Sequence, residues 1–295
     1  MLGAALALLA GCAGDDDGSA EPRPDAVTVL AVGDIARCDN ENDDATARLV
    51  ADEPDATVLV LGDLAYDQGL NEEFDSCYDP PWGQFKDRTR PTPGNHEYAY
   101  FQKDAAAYFD YFGESAGQWG LGYYSFDIGR WHVVALNSNC DAERLGGCWP
   151  GSPQERWLRE DLAANTRPCT LAFWHHPRFS AGATHGSDPA TDPFWRLLYD
   201  AGADLVLNGH DHNYQRFAPQ TRGGGPDADR GIREFVVGTG GASLREVGEA
   251  LPTTEEQSAE SFGVLRLTLY DGGYDWEFVP VEGSDFSDRG SGRCH

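Results

Sequence analysis

Short apolar runs alternate with polar segments along most of the chain. TVLAV (28–32), TVLVL (57–61), WHVVAL (131–136), TLAFW (170–174), DLVLN (204–208) and EFVVG (234–238) predict strands. Several are unbroken apolar stretches, as strands covered on both faces would be. YYSFDI (123–128), VLRLTL (264–269) and YDWEFV (274–279) predict three more. Helices are expected between them. SPQERWLREDLAAN (152–165) offers Ser152 as N-cap, Pro153 in the first turn and Glu155 to complete a capping box. DPFWRLLYDAG (192–202) starts on Asp-Pro and stops at Gly202, and KDAAAYFDYF (103–112) is a third helical segment. From about residue 231 the pattern is strands joined by turns such as Asp271-Gly272-Gly273. Strand–helix alternation followed by hairpins predicts a mixed α/β domain with more than one sheet. TRGGGPDADRG (221–231) reads as a mobile loop, and no interdomain linker is visible after residue 26.

The polar residues that follow the strands are not random. VGDIA (32–36), LGDLAY (61–66), PGNHE (93–97, behind a weaker strand), FWHHP (173–177) and LNGHDH (207–212) each deliver Asp, Asn or His just past a strand. In open α/β sheets ligands bind beyond the carboxyl ends of strands, and glycine there lets the chain turn sharply. One Gly-Asp is an ordinary turn, and Asn95 alone would be a turn former. The recurrence of the motif points to a metal site built from oxygen and nitrogen ligands. The set holds more donors than one ion needs, so two ions sharing a carboxylate are expected, the arrangement that clamps a phosphoryl group.

Charge narrows the function classes. The formal net charge is −27, a field that repels nucleic acid and anionic membrane surfaces. The N-terminus MLGAALALLAGCAGDDDGS has no apolar run long enough to span a membrane and fits a signal peptide better. Leu-Leu-Ala-Gly-Cys at 8–12 resembles a bacterial lipobox, although no basic residue precedes it. Cys12 would then carry the lipid and be the only link to a membrane, with residues 1–26 as signal and flexible acidic tether. Plain secretion is the alternative. Apart from Cys12 there are cysteines at 38, 77, 140, 148, 169 and 294, an even set that suggests disulfides in an exported chain. Cys140 and Cys148 can close a Gly-rich loop, Cys38 and Cys77 both follow strand-end motifs, and Cys169 with Cys294 remains by elimination. A cysteine zinc site lacks the CxxC spacing.

The ordered series GD, GDxxY, GNHE, H and GHxH, over residues 28 to 280, resembles the calcineurin-like metallophosphoesterase superfamily, and within it the purple acid phosphatases and their bacterial relatives. The resemblance implies a four-layer α-β-β-α sandwich of two mixed sheets, with the metals at the strand C-terminal ends. It implies that Asp34, Asp63, Tyr66 and His212 hold one metal and that Asp63, Asn95, His175 and His210 hold the other. The family's His-x-Pro spacing selects His175 over His176. Many members have GDxH where this chain has Gly33-Asp34-Ile35-Ala36, and Ala36 cannot ligate. Tyr66 resembles the tyrosinate that fills this vacancy in purple acid phosphatases. A tyrosinate favours Fe(III), with Fe, Zn or Mn as divalent partner, and the formal count leaves the loaded site at about +1, enough to hold phosphate. His96 would face the phosphate as donor or general acid, and His185 is a second candidate. Arg178 and Arg216 are weighed as phosphate contacts, Glu97 as an orienting residue and His132 as structural. The expected protein is an exported hydrolase of small phosphate monoesters, attacked by a metal-activated hydroxide. A phosphodiesterase of cyclic nucleotides or glycerophosphodiesters is the alternative, and a non-catalytic surface binding protein a more distant one. The metallophosphoesterase domain is expected over 27–295.

Overall fold

A computed structural model describes residue 23, residues 25–99 and residues 103–295. Cys12 and most of the expected signal and tether lie outside the described residues. Two large sheets face each other. The first has six strands in the order Arg289–Arg293, Gly273–Pro280, Gly263–Tyr270, Val27–Val32, Thr57–Leu61, Thr89–Thr92. The last three run parallel and the others antiparallel. The second has seven, in the order Thr254–Ser258, Tyr214–Phe217, Arg233–Val237, Leu205–Asn208, Cys169–Phe173, Trp131–Ala135, Tyr124–Ile128. Its four central strands are parallel.

The unbroken apolar runs are the central strands of both sheets. Both faces of such a strand are buried, so there is no polar face to alternate with. Val58, Val60, Leu171, Phe173, Leu205 and Leu207 join one core between the sheets, and Val134, Ala172, Trp174 and Val206 face a second core against the helices. That second core is closed by Leu158 from the helix Pro153–Ala164 and by Phe194, Trp195 and Leu198 from Asp192–Ala201. Ser152 caps the first of these, accepting from the Glu155 N–H at 3.3 Å. The expected capping box is only half made, because the Glu155 carboxylate turns to the Gly151 N–H instead. Gly202 ends the second helix in the left-handed region at φ 76°.

The third helix is shorter than expected, Ala106–Phe112. A helix over Asn42–Ala51 and an irregular helical stretch over 71–88 fall where no helix was expected. The 221–231 segment is tied down rather than mobile: Thr221 N–H donates to Gly225 at 2.7 Å, and Tyr199 donates to Asp227 at 2.6 Å. All three expected cysteine pairs are bonded, Cys38–Cys77, Cys140–Cys148 and Cys169–Cys294.

Candidate metal centre

The site lies where the carboxyl ends of both sets of parallel strands meet. The first sheet brings oxygen: Asp34 follows Val27–Val32, Asp63 follows Thr57–Leu61 and Asn95 follows Thr89–Thr92. The second brings imidazole: His175 follows Cys169–Phe173, and His210 and His212 follow Leu205–Asn208. A two-residue parallel pairing, Ala36–Arg37 with Ala65–Tyr66, ties the two Gly-Asp loops together and sets Tyr66 beside them.

Turning these side chains inward needs unusual backbone. Asp34, Asp63 and His210 have φ of 62°, 52° and 70°, a region that costs a non-glycine residue on the order of 1–3 kcal/mol. Backbone bonds hold the turns, with Asp34 N–H on Gly62 and Ile35 N–H on Asp63 at 3.0 and 2.9 Å. Glycine is required where Asp63 meets its neighbours: a Cβ on Gly94 would lie 2.1 Å from Asp63 Oδ1. Glu97 supports the same turn from behind. Its buried carboxylate accepts from the N–H groups of Asp63, Leu64 and Gly94 at 3.0, 2.9 and 2.7 Å. Burial and the nearby Asp63 raise its pKa to about 7.

The donors meet in two groups that share Asp63. Tyr66 Oη lies 2.9 Å from Asp34 Oδ1, 3.1 Å from Asp63 Oδ2 and 3.2 Å from His212 Nε2. His175 Nε2 lies 3.2 Å from Asp63 Oδ2, 3.1 Å from Asn95 Oδ1 and 3.2 Å from His210 Nδ1. The Leu61 carbonyl accepts from His175 Nδ1 at 2.8 Å, which points Nε2 inward. His212 Nδ1 is held by Ser243 Oγ at 2.8 Å, again with Nε2 inward. In the second group, lone pairs face lone pairs in a partly buried space, with Asp63 and His175 fully covered. Only a cation or extra protons satisfy such a set, so these residues fit metal ions.

The electrostatics say the same. Burial pulls the His175 pKa down, but the Asp63 carboxylate outweighs it and holds the group up at about 9, so the position attracts positive charge. Burial, then Asp34 and Asp63, push the Tyr66 phenol well above its ordinary range. Burial also opposes ionisation of Asp63, yet His175 outweighs it and holds the carboxyl well below the usual range.

His176 needs a correction of emphasis. Its ring nitrogens fall in a cluster with His175 and His210 within 4.8 Å, so position alone does not exclude it. However, Ser138 Oγ holds its Nδ1 at 2.8 Å and its backbone N–H at 3.0 Å, and burial with nearby His175 lowers its pKa to about 3. It is a neutral imidazole at the rim.

The two candidate acids are held in opposite senses. His96 Nδ1 lies 2.6 Å from the Asp67 carbonyl, so it carries the proton, and Nε2 faces inward, 3.9 Å from Asp63 Oδ2. His185 stacks on His210 with ring centroids 4.1 Å apart. Its Nε2 accepts from Arg245 at 2.5 Å, and burial lowers its pKa. Its loop is anchored by buried Asp211, which accepts from Ser180 Oγ and from the N–H groups of His185 and Gly186. Sequence reasoning missed Ser138, Asp211, Ser243 and Arg245. Only Asp211, between the two candidate ligand histidines in LNGHDH, stood in a legible motif. Arg178 and Arg216 are engaged elsewhere, by Asp192 at 3.1 Å and by Asp288 at 2.7 Å. His132 lies on the second sheet's Trp131–Ala135 strand between Asp127 and Asp161.

Comparison with known proteins came to the same family as the motifs. A model of the calcineurin-like phosphoesterase family matches residues 27–214. Purple acid phosphatase 15 of Arabidopsis thaliana is 29% identical over 223 residues, 64% of this chain and 40% of that protein. Purple acid phosphatase 21 of the same plant is 30% identical over 271 residues, 80% of this chain and 58% of that one. In fold, a purple acid phosphatase from yellow lupin seeds superposes with a TM-score of 0.77 at 19% identity, covering 90% of this chain and 53% of that one. The chain thus spans 40% to 58% of the length of these two curated relatives.

Proposed function

The chain belongs to the calcineurin-like phosphoesterase family, and on that premise we propose that it is a metal-dependent hydrolase of phosphate monoesters that works outside the cytoplasm. The observation that carries this reading is the convergence of oxygen donors from one sheet and imidazoles from the other on the shared Asp63 carboxylate. Asp34, Asp63, Tyr66 and His212 would hold one ion, and Asp63, Asn95, His175 and His210 a second. When bound, two such ions supply positive charge and Lewis acidity to the phosphoryl group. Burial first, then the Asp34 and Asp63 carboxylates, raise the Tyr66 pKa, and a bound cation there would oppose all three. Tyrosinate then favours Fe(III) at this position, beside divalent Fe, Zn or Mn.

His96 is the better proton donor of the two candidates. Its Nδ1–H is committed to the Asp67 carbonyl, so the imidazolium gives its Nε2 proton, which faces the site, to the leaving-group oxygen. His185 keeps Nε2 as an acceptor for Arg245. It can offer only Nδ1–H, as a neutral hydrogen-bond donor that orients the phosphate.

The test is to load purified protein with iron and measure its metal content, its visible spectrum and its turnover of 4-nitrophenyl phosphate and bis(4-nitrophenyl) phosphate. Faster turnover of the monoester and a charge-transfer band absent from Tyr66→Phe are expected. A colourless oxidised iron form overturns the tyrosinate assignment. Preference for the diester overturns the monoester assignment, and no turnover of either overturns the hydrolase.

We assign residues 1–26 to an export signal and tether, and 27–295 to the catalytic domain. Three disulfides suit an oxidising compartment. With Cys12 as the lipid-bearing residue, Cys12→Ser should move the protein from the membrane to the soluble fraction of a bacterial host. Unchanged fractionation would overturn the anchor.

A further inference from the structure

We infer that Arg245 binds the unesterified phosphate oxygens of the substrate and sets a preference for monoesters over diesters; this rests on the phosphoesterase reading above. Its guanidinium stands at the rim of the metal centre. Nη1 donates to His185 Nε2 at 2.5 Å, and the His185 ring stacks on His210 with centroids 4.1 Å apart. One imidazole thus separates the guanidinium from a candidate ligand of the second group. The link to the first group is direct, since the Arg245 backbone N–H donates to the His212 carbonyl at 2.8 Å. His185 is exposed and Arg245 partly so, which leaves this rim open to a ligand.

What marks Arg245 is that nothing balances its charge. The bond to His185 is its one side-chain hydrogen bond among the described residues, and the accepting nitrogen is uncharged. A guanidinium has five N–H donors, so most of them are free to take a ligand. The buried Asp211 carboxylate below the His185 loop is already taken by Ser180 Oγ and by the N–H groups of His185 and Gly186. Two other arginines near the site are neutralised. Arg37, over the Tyr66 ring at 5.9 Å, pairs with Asp39 at 3.0 Å and with Asp67 at 2.7 Å. Arg178, three residues after His175, pairs with Asp192 at 3.1 Å. In a chain of formal net charge −27, an uncompensated cation held beside the metal-ion donors is a place for an anion.

The chemistry of the ester makes this contact selective. A monoester carries three unesterified oxygens and, above a second pKa of about 6, two negative charges. A diester carries two such oxygens and one charge. A planar guanidinium donates to two oxygens of one phosphate at once. The candidate ions draw on the same oxygens, so a diester has fewer left for Arg245. The discrimination needs no change of protonation, because an arginine stays charged throughout the working range of pH.

The experiment uses metal-loaded protein and measures kcat/KM for 4-nitrophenyl phosphate and bis(4-nitrophenyl) phosphate. The proteins are wild type, Arg245→Ala, Arg245→Lys, His185→Ala and the double variant Arg245→Ala/His185→Ala. Binding of inorganic phosphate, by calorimetry, and metal content are measured on the same samples. In Arg245→Ala the ratio of monoester to diester should fall about tenfold or more, chiefly through KM, as loss of a charge-assisted hydrogen bond implies. Phosphate should bind about tenfold more weakly for the same reason. Arg245→Lys keeps the charge and should restore part of both. Metal content should not change, because the bond to His212 comes from the backbone. The same fall should appear when Arg245→Ala is added to His185→Ala; if it does not, Arg245 only positions His185 and the inference is overturned. An unchanged ratio, an unchanged phosphate affinity, or loss of metal from Arg245→Ala overturns it too. The phosphoesterase reading is judged on the wild type: turnover of either ester keeps it. If neither turns over, that reading fails, and phosphate affinity alone decides the inference.

Discussion

His175 and His132 each sit against aspartate oxygens: His175 Nε2 is 3.2 Å from Asp63, and His132 is 3.0 Å from Asp127 and 2.8 Å from Asp161. In both, the carboxylates overcome burial and raise the imidazole pKa. The surroundings differ. Both nitrogens of His132 face carboxylates, so an imidazolium satisfies everything around it. Arg167 balances Asp127 at 2.9 Å, and Ser125 donates to Asp161 at 2.6 Å. At His175, Asn95 Oδ1 and His210 Nδ1 also turn toward the same Nε2. One proton cannot serve all of them. The same residue types thus build a proton site on the outer part of the second sheet and a metal-ion site where the sheets meet. What separates them is how many acceptors converge on one point.

The sharpest way to break the ion site is to remove the acceptor both groups share. Asp63→Ala should lose both metals together and lower kcat by at least about a thousandfold, since the two-metal clamp goes with it. Metal content of the purified variant checks it, and two full equivalents retained would rule out the bridging role. The next test separates ligand from rim. His175→Ala should cost far more activity and metal than His176→Ala, because His175 Nε2 points at Asp63 whereas the His176 ring is held by Ser138. Equal losses in the two variants, or losses in the reverse order, would reverse the assignment.

How much of this the chain reveals depends on whether a feature is local. Asp34, Asp63, Asn95, His175, His210 and His212 each stand within a few residues of a strand end, so the apolar pattern that marks the strand also marks the candidate ligand. The grouping around a shared Asp63 came from family resemblance, because the partners meet across two sheets. Ser243 and Arg245 reach the site from a segment without regular structure after Arg233–Val237, where no periodicity marks them. Polar edge strands, TEEQS (254–258) and RGSGR (289–293), have no buried face to leave a pattern and exist through pairing with their neighbours. The helical stretch over 71–88 carries Pro80 and Pro81, which read as turn residues, although proline is tolerated in a first helical turn. The helix Asn42–Ala51 buries only a narrow apolar stripe, with Asp43 and Thr46 also buried.

The smallest expected effect tests the proton site alone. His132 has its pKa raised in the folded protein: burial opposes the charge, but Asp161 and Asp127 outweigh it. A group raised on folding contributes stability that is fully present below its unfolded pKa, about 6.5, and loses it as pH rises through the folded value. The loss therefore falls on the alkaline side of about 6.5. Asp127 works in the other direction, held below the usual carboxylate range by His132 and Arg167. Its contribution is lost only as pH falls through acid values, so the two effects do not overlap. His132→Gln keeps a polar side chain of similar size but cannot carry the charge. It should flatten the decline in stability on the alkaline side of about 6.5, read from urea unfolding midpoints at each pH. The partners of His132, Asp127 and Asp161, are not among the candidate metal ligands, so the metal content should be kept, and it is measured on the same samples. If the variant and the wild type decline in parallel, His132 is not the titrating group. If metal is lost as well, the two histidine–carboxylate clusters are coupled, and the contrast between a proton site and an ion site breaks down.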